Sequence, residues 1–296
     1  MDLAHLELLR ELRDRGTITA VAEAGFRSPS AVSQQLRSAE KAFGVRLTEP
    51  EGRRLRLTPA GLLLADGASQ IATDLARLQS RLDSLRGDPV GSVDVCGLPS
   101  ATEVLIPPLL TAIADSGIEV ALTDADIAEA DYAQQAADFD VVIAHSMNQR
   151  PFADAGLSIV PVVAEPLDVA VPSSHRLARH EHLTAADLAG EAWIGVPAGF
   201  PFDTVRIAIE NRAGAALQVV QRVRDNRVVE ALVAQGLGCA LLPRFTTRQR
   251  VGLTTIPLTG VGATRQIVAI ARPDRLERGA VRAVVDHLVT IGSQLR

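Results

Sequence analysis

The chain has 296 residues, 47% of them apolar, with a formal charge of −5 and two cysteines. At about 150 residues per domain this length predicts two folded units with ample core. The composition excludes a disordered chain, which would be less apolar and more charged, and a disulfide scaffold, which would need more cysteine. The N-terminus MDLAHLELLRELRD lacks the basic start, apolar stretch and cleavage site of a secretory signal, and no run is long enough to span a bilayer. A soluble, cytoplasmic protein is therefore expected.

Charge is unevenly placed. Residues 1–88 carry 13 basic and 12 acidic side chains, residues 89–296 carry 17 and 23, and within 27–56 the balance is 7 basic to 3 acidic. A short basic patch on an acidic chain serves phosphates without making the whole surface adhesive. Lys41 is the sole lysine, so the patch is almost all arginine. Arginine suits bidentate contact with phosphate or guanine, although a general preference for arginine over lysine explains the composition equally well.

In chain order, the spacing of Leu6, Leu9 and Leu12 predicts a helix over 3–14 that Gly16 ends. A short alanine-rich helix over 17–24 follows, and then a turn at Gly25. Ser28 is an N-cap with Pro29 at the first helical position, where its missing N–H costs nothing. The third helix runs to about Phe43. Its Val32, Leu36, Ala39 and Phe43 form a buried stripe, while Ser30, Ser33, Gln34 and Arg37 fall on the opposite face. Beyond Gly44 the period becomes two: Leu55 and Leu57 alternate with Arg54 and Arg56, and Pro50-Glu51-Gly52 is read as the turn of a hairpin wing. Thr58-Pro59 repeats the cap-plus-proline signal and opens a long helix to about Leu85. In it Leu64, Ile71, Leu78 and Leu85 recur every seven residues, with Ala68, Leu75 and Leu82 as a second seam. Such a heptad seam fits pairing with a partner helix, and packing within its own domain remains open.

Gly87-Asp88-Pro89 breaks the helix. Beyond it, β-rich stretches at 92–96, 118–123, 140–145, 167–171, 193–196, 217–223, 239–242 and 266–271 alternate with helical ones at 102–114, 204–213, 226–235 and 278–295. This pattern predicts an α/β domain with a largely parallel sheet in two lobes, binding ligand at the carboxyl ends of strands. Ser100 or Thr102 is expected to cap the first helix of this domain while its N–H groups, through Ala101, face outward to attract an anion; Asp225-Asn226 opens another helix likewise. Ordinary capping explains these positions as readily.

Neither G-x-S-x-G nor a phosphate-binding loop is present, and the pairs Gly236-Leu-Gly238 and Gly260-Val-Gly262 lack the third glycine of a dinucleotide fingerprint. His175, His180 and His182 read as a solvated loop rather than a zinc site, since no further ligand is spaced nearby. Cys96 and Cys239 lie among apolar neighbours, which favours buried small hydrophobes over a redox switch.

The stretch SPSAVSQQLRSAEKAFGVRL, followed by GRRLRLTPAG, resembles the winged helix-turn-helix of the LysR-type transcriptional regulators; EALVAQGLGCALLPR and HRLA resemble segments of their effector-binding domain. The resemblance implies a DNA-binding homodimer or homotetramer whose C-terminal domain has the two-lobed fold of periplasmic solute-binding proteins. It implies a winged helix-turn-helix over 1–58, a linker and dimerisation helix over 59–88, and an effector domain over 89–296, with lobe I at about 89–162 and 267–296 and lobe II at about 163–266. Ser28, Ser30, Ser33, Gln34 and Arg37 are then expected on the major groove and Arg53, Arg54 and Arg56 on phosphates. Leu64, Ile71, Leu75, Leu78, Leu82 and Leu85 are expected at the dimer seam. The resemblance adds His145, Ser146 and the loop from Pro197 to Phe202 to the effector site. Four positions depart from the family: Thr48 and Pro50 in the wing, Pro29 at the start of the recognition helix, and Gly25 where leucine is usual, for which Phe26 is expected to compensate. The expected partners are operator DNA, a small carboxylate effector, further copies of the chain and RNA polymerase, with no cofactor, metal or membrane. The competing reading is an enzyme or oxyanion-binding protein fused to a DNA-binding module.

Overall fold

Asp2, Thr17, Ser28 and Thr58 each accept a backbone N–H on the side chain. These caps start helices α1 (Leu3–Arg15), α2 (Ile18–Ala24), α3 (Pro29–Phe43) and α4 (Pro59–Ser84). A computed structural model describes residues 2–52, 54–85, 87, 89–125, 131–148, 156–248 and 250–295 of the chain. Leu8, Leu9 and Leu12 of α1, Val21 of α2 and Val32, Leu36 and Ala39 of α3 close into one small core with Leu47, Leu57 and Ala65. Strand β1 (Thr48–Glu51) pairs antiparallel with β2 (Arg54–Leu57), Glu51 opposite Arg54. Pro50 and Glu51, expected in the wing turn, therefore belong to the strand, and the turn follows from Gly52. At φ 60°, Gly52 supplies the left-handed backbone that so tight a turn requires. At Gly61 the start of α4 presses on the wing, where a Cβ would lie 2.2 Å from the Leu47 carbonyl oxygen.

The C-terminal domain begins with the parallel strands β3 (Gly91–Gly97), β4 (Ile118–Asp124) and β5 (Val141–Ser146), interleaved with α5 (Pro99–Ala112) and the short α6 (Tyr132–Gln135). It continues through β6 (Ser158–Pro172), two single 3-10 turns, β7 (Ala192–Gly195), α7 (Pro201–Ala213), β8 (Gln218–Arg222), α8 (Asn226–Ala234), β9 (Ala240–Pro243), β10 (Leu253–Pro257), β11 (Thr264–Ala271), α9 (Pro273–Leu276) and α10 (Gly279–Gln294). The main sheet runs β10-β6-β11-β5-β3-β4, with β9 also on β6. It is mixed, not largely parallel, because β6 meets β9, β10 and β11 antiparallel and β11 meets β5 antiparallel. Strand β10 had no counterpart among the expected elements, and β6 starts nine residues earlier than expected. Pro161 and Pro166 interrupt its apolar pattern and are accommodated near a register shift against β11 and at the end of that pairing.

Strand β6 ties two cores together. One packs β3, β5 and β11 against α5 and α10, through residues such as Val95, Leu105, Ile143, Ile270 and Leu288. The other gathers Leu167 and Val169 of β6 with Trp193, Val205, Ile209 and Leu241. The N-terminal helices, with α4, rest on this domain through ion pairs. Arg10 reaches Asp274 at 2.9 Å, Arg15 reaches Asp138 at 2.8 Å, Arg77 reaches Glu277 at 2.9 Å, and Arg272 reaches back to Glu11 at 3.2 Å.

Candidate functional site

On α3 the structure exposes Ser30, Gln34 and Arg37 together, with Ser33 half-buried beside them. The Ser28 hydroxyl caps the helix and lies 2.9 Å from the Ser30 hydroxyl, while Ser33 donates to the Pro29 carbonyl at 2.9 Å. Gln35, one position on, is turned inward and donates to the Ala4 carbonyl at 3.0 Å, which fixes α3 against α1. In the wing, Arg56 is ion-paired with Glu49 and lies 3.7 Å from Glu51, so its charge is partly neutralised by its own hairpin. Arg53 and the Arg54 side chain lie outside what the structure describes. Phe26 does not fill the place of a helix-two leucine: it stands 99% exposed at φ 50° in the turn between α2 and α3. Along α4 the expected seam is bare, with Leu75 at 65%, Leu78 at 63% and Leu85, just past the helix, at 84% exposure; Ile71 and Leu82 are also exposed and Leu64 is half-buried. The inner neighbour Ala68 is buried instead.

Between the two cores of the C-terminal domain opens a cleft of about 850 Å³. Ser100, Thr102, His145, Phe202 and Asp225 line it, whereas Ala101, Ser146 and Pro197 do not. Ala101 is buried in the α5 contact, the Ser146 hydroxyl is occupied by the Asn148 N–H at 2.9 Å, and the Pro197 carbonyl accepts from Phe200 at 3.2 Å. Leu98, not Ser100 or Thr102, is the N-cap of α5, because Pro99 takes the first helical position. The Thr102 hydroxyl turns back to the carbonyls of Leu98 and Pro99, and the Ala101 and Thr102 N–H groups both donate to Leu98. The helix start thus offers fewer outward donors than its sequence suggested.

The floor of the cleft is set by Arg265 of β11, only 1% exposed. It donates through Nε to Glu165 of β6 at 2.7 Å, through Nη1 to the Ser100 hydroxyl at 3.0 Å and through Nη2 to the Thr246 hydroxyl at 3.3 Å. Glu165 is fully buried and its other oxygen accepts from the backbone N–H of Phe245 and Thr246 at 2.7 and 3.0 Å. The charges are paired and their lone pairs filled, as burial demands. Beside this pair, His145 meets Phe202 edge-on at 5.8 Å and Tyr132 at 6.1 Å. Burial, and then the Arg265 charge, push its imidazole down to about 3, so it is neutral near pH 7, and its Nδ1 has no hydrogen-bond partner. The Arg265 guanidinium lies 5.9 Å from the Phe202 ring, and Arg224 lies 5.4 Å from Phe200. Around the rim, Glu103 pairs with Arg248 and Asp225 with Arg227. Burial pushes the Glu230 carboxyl up, with Glu103 adding to the effect. Sequence reading missed Arg265, Glu165, Thr246 and Arg224. The usable signal was charge inside otherwise apolar strands, Arg265 alone in β11 and Glu165 with Asp168 in β6.

Cys96 and Cys239 are buried, free and in separate cores. Burial raises both thiols, Cys96 with help from Asp124 and Cys239, beside Glu191, up to about 12. His180 and His182 are exposed, as a solvated loop requires, but His175 is half-buried with Nε2 3.3 Å from Glu191 Oε2.

Residues 3–62 match the model of the bacterial regulatory helix-turn-helix protein of the lysR family, and residues 86–291 match the LysR substrate binding domain. The chain belongs to the LysR family of transcriptional regulators. It is a DNA-binding regulator with an effector-binding domain. Its curated relatives include the hydrogen peroxide-inducible genes activator of Pectobacterium carotovorum subsp. carotovorum, 25% identical over 97% of this chain and 96% of that protein. The transcriptional dual regulator GltC of Bacillus subtilis is 25% identical over 94% and 92%. Among solved structures, a full-length OxyR variant from Pseudomonas aeruginosa aligns with TM-score 0.68 at 18% identity, covering 97% of this chain and 94% of that one. Full-length CbnR complexed with its target DNA aligns with TM-score 0.56 at 20% identity, covering 99% and 100%. Among the described residues no helix is long and apolar enough to cross a membrane.

Proposed function

We propose that this regulator binds a small carboxylate in the cleft between lobes at about 89–162 with 267–296 and 163–266, and that this changes how a homodimer or homotetramer presents its α3 helices to operator DNA and to RNA polymerase. The observation that carries the reading is the convergence of Ser100, His145 and Phe202 on the buried Arg265. This is a pocket with phenylalanine in its wall and an ion-paired arginine and a hydroxyl at its floor. Overall the lining is balanced, Arg224, Arg227, Arg248 and Arg265 against Glu103, Asp124, Asp225 and Glu230. A monoanion that also carries a hydroxyl or amine suits it better than a polyanion. The cleft is a binding rather than a reacting site: the Ser100 hydroxyl accepts from Arg265, and His145 sits edge-on between two rings instead of beside a nucleophile. A panel of organic acids tested by thermal shift is expected to contain a stabilising ligand, because binding the folded state alone raises its stability by mass action. Ser100→Ala is expected to weaken that ligand while sparing the fold and operator binding. Stabilisation by neutral or cationic compounds alone overturns the carboxylate assignment. The exposed α4 seam is proposed as the dimer face. Leu75→Asp with Leu78→Asp puts charge into an apolar contact. Sedimentation should then show monomers and operator binding should collapse, and an intact dimer would place the interface elsewhere.

A further inference from the structure

Three potential metal ligands, far apart in sequence, meet in lobe II away from the cleft. His175 follows the end of β6, Glu191 precedes β7 and Cys239 precedes β9, and one ligand atom of each lies within 4.8 Å of the others. We propose that His175, Glu191 and Cys239 form a site for a borderline divalent cation, with Zn2+ as the fitting ion.

The His175–Glu191 separation has the spacing of a ligand pair. Nε2 of His175 and Oε2 of Glu191 are 3.3 Å apart. A charge-assisted hydrogen bond closes to about 2.7–2.9 Å, whereas two ligands each about 2.0–2.1 Å from a tetrahedral Zn2+ stand roughly 3.3 Å from one another. The third group is a thiol, buried to 1% exposure. Its sulfur lies within 4.8 Å of the imidazole and carboxylate ligand atoms, so a small side-chain adjustment brings all three to a shared ion. Nitrogen, oxygen and sulfur donors together select zinc and its transition-metal neighbours over magnesium or calcium.

The surroundings orient the carboxylate, whereas the imidazole gives up a hydrogen bond to bind. Arg176 binds Glu191 Oε1 at 2.5 Å, which orients the carboxylate and leaves Oε2 facing the imidazole. His175 Nδ1 accepts from the Leu177 N–H at 3.4 Å. Coordination through Nε2 needs the tautomer protonated at Nδ1, and so long a hydrogen bond is cheaply given up. On binding, sulfur, nitrogen and oxygen each donate a lone pair to the ion, the thiol proton leaves to solvent, and water takes the fourth position. No electron is transferred. The site lies at one end of β9, and Thr246, on the floor of the cleft, lies just beyond the other. Trp193, the only tryptophan, makes a backbone bridge to Cys239 and so stands beside the site as a reporter.

The test uses the full-length, tag-free chain, reduced and dialysed against chelator, then titrated with Co2+ and with Zn2+. Co2+ is expected to produce a thiolate-to-cobalt charge-transfer band that Zn2+ abolishes, with a change in Trp193 fluorescence saturating at the same ratio. Cys239→Ser is expected to lose the band. His175→Gln and Glu191→Gln are expected to weaken binding about tenfold or more, the loss that removing even an outer partner of a metal site produces. Cys96→Ser is expected to behave as the parent. Each variant is checked for parental thermal unfolding in chelator, and if one fails to fold, the band of the parent chain decides. Absence of the band in the parent, or its survival in Cys239→Ser, overturns the assignment.

Discussion

Arg265 and Glu165 show what a single buried pair does for this molecule. Each alone would be an uncompensated charge in an apolar floor. Together they join β11 to β6 and, through Ser100 and Thr246, fix the two walls of the cleft. His145 next to them is kept neutral, with a consequence for stability. As pH falls below about 6.5 the unfolded imidazole takes a proton that the folded one refuses until about 3, so the unfolded state binds more protons and stability drops through that window. The slope from this one residue is about 1.4 kcal/mol per pH unit. Urea unfolding of His145→Gln between pH 6.5 and 4.5 should show a shallower pH dependence than the parent. An unchanged slope would place the acid sensitivity in other groups.

At the scale of elements, α3 and the wing divide the work of binding DNA differently than their sequences suggest. Gln34 and Arg37 stand exposed on the outward face of α3. On the proposed seating of α3 in the major groove, Gln34→Ala or Arg37→Ala should each weaken specific binding by about 1–3 kcal/mol. The wing argues the other way, since Glu49 already holds Arg56. Arg56→Ala should therefore cost little, whereas Glu49→Gln should release a cation to phosphate, tighten binding to any sequence and steepen its salt dependence by close to one counterion. Gel-shift titrations at two salt concentrations separate these effects, and equal salt slopes for parent and Glu49→Gln would show that Arg56 does not meet the backbone. Local signals made much of this legible: caps at Ser28 and Thr58 and glycines 16 and 44 placed the helix ends of the head closely. Features decided by long-range pairing were not legible. The antiparallel course of β6 with β11 depends on residues about a hundred positions apart, and the α5 cap moved to Leu98 because Pro99 excludes the hydroxyl residues after it from that role. The same distance hid the Arg265–Glu165 pair, and shorter but still non-local separations hid the meeting of His175 with Glu191 and Cys239.

For the whole molecule, the decisive contact is the one between head and effector domain. Arg10 of α1 and Arg272 at the start of α9 are both nearly buried, and they interleave with Glu11, Asp14 and Asp274. Arg77 of α4 reaches Glu277 on the same surface. Any movement of the effector domain that shifts α9 must therefore break or carry these pairs, which gives the cleft a physical route to the head. Screening by salt weakens exposed pairs such as Arg77–Glu277 more than the buried ones. Asp274→Ala strips Arg10 of one partner while leaving it Glu7 at 2.6 Å, so the expected cost is that of a charge-assisted hydrogen bond, about 1.5–3 kcal/mol, rather than of an abandoned buried charge. A double-mutant cycle of Arg10→Ala and Asp274→Ala isolates the link. Strong coupling in urea unfolding, with faster amide exchange in both α1 and α9 of the single variants, is the expected result. Additive losses, or exchange that quickens in only one of the two helices, would mean that head and effector domain are merely adjacent and that the signal travels through α4 alone.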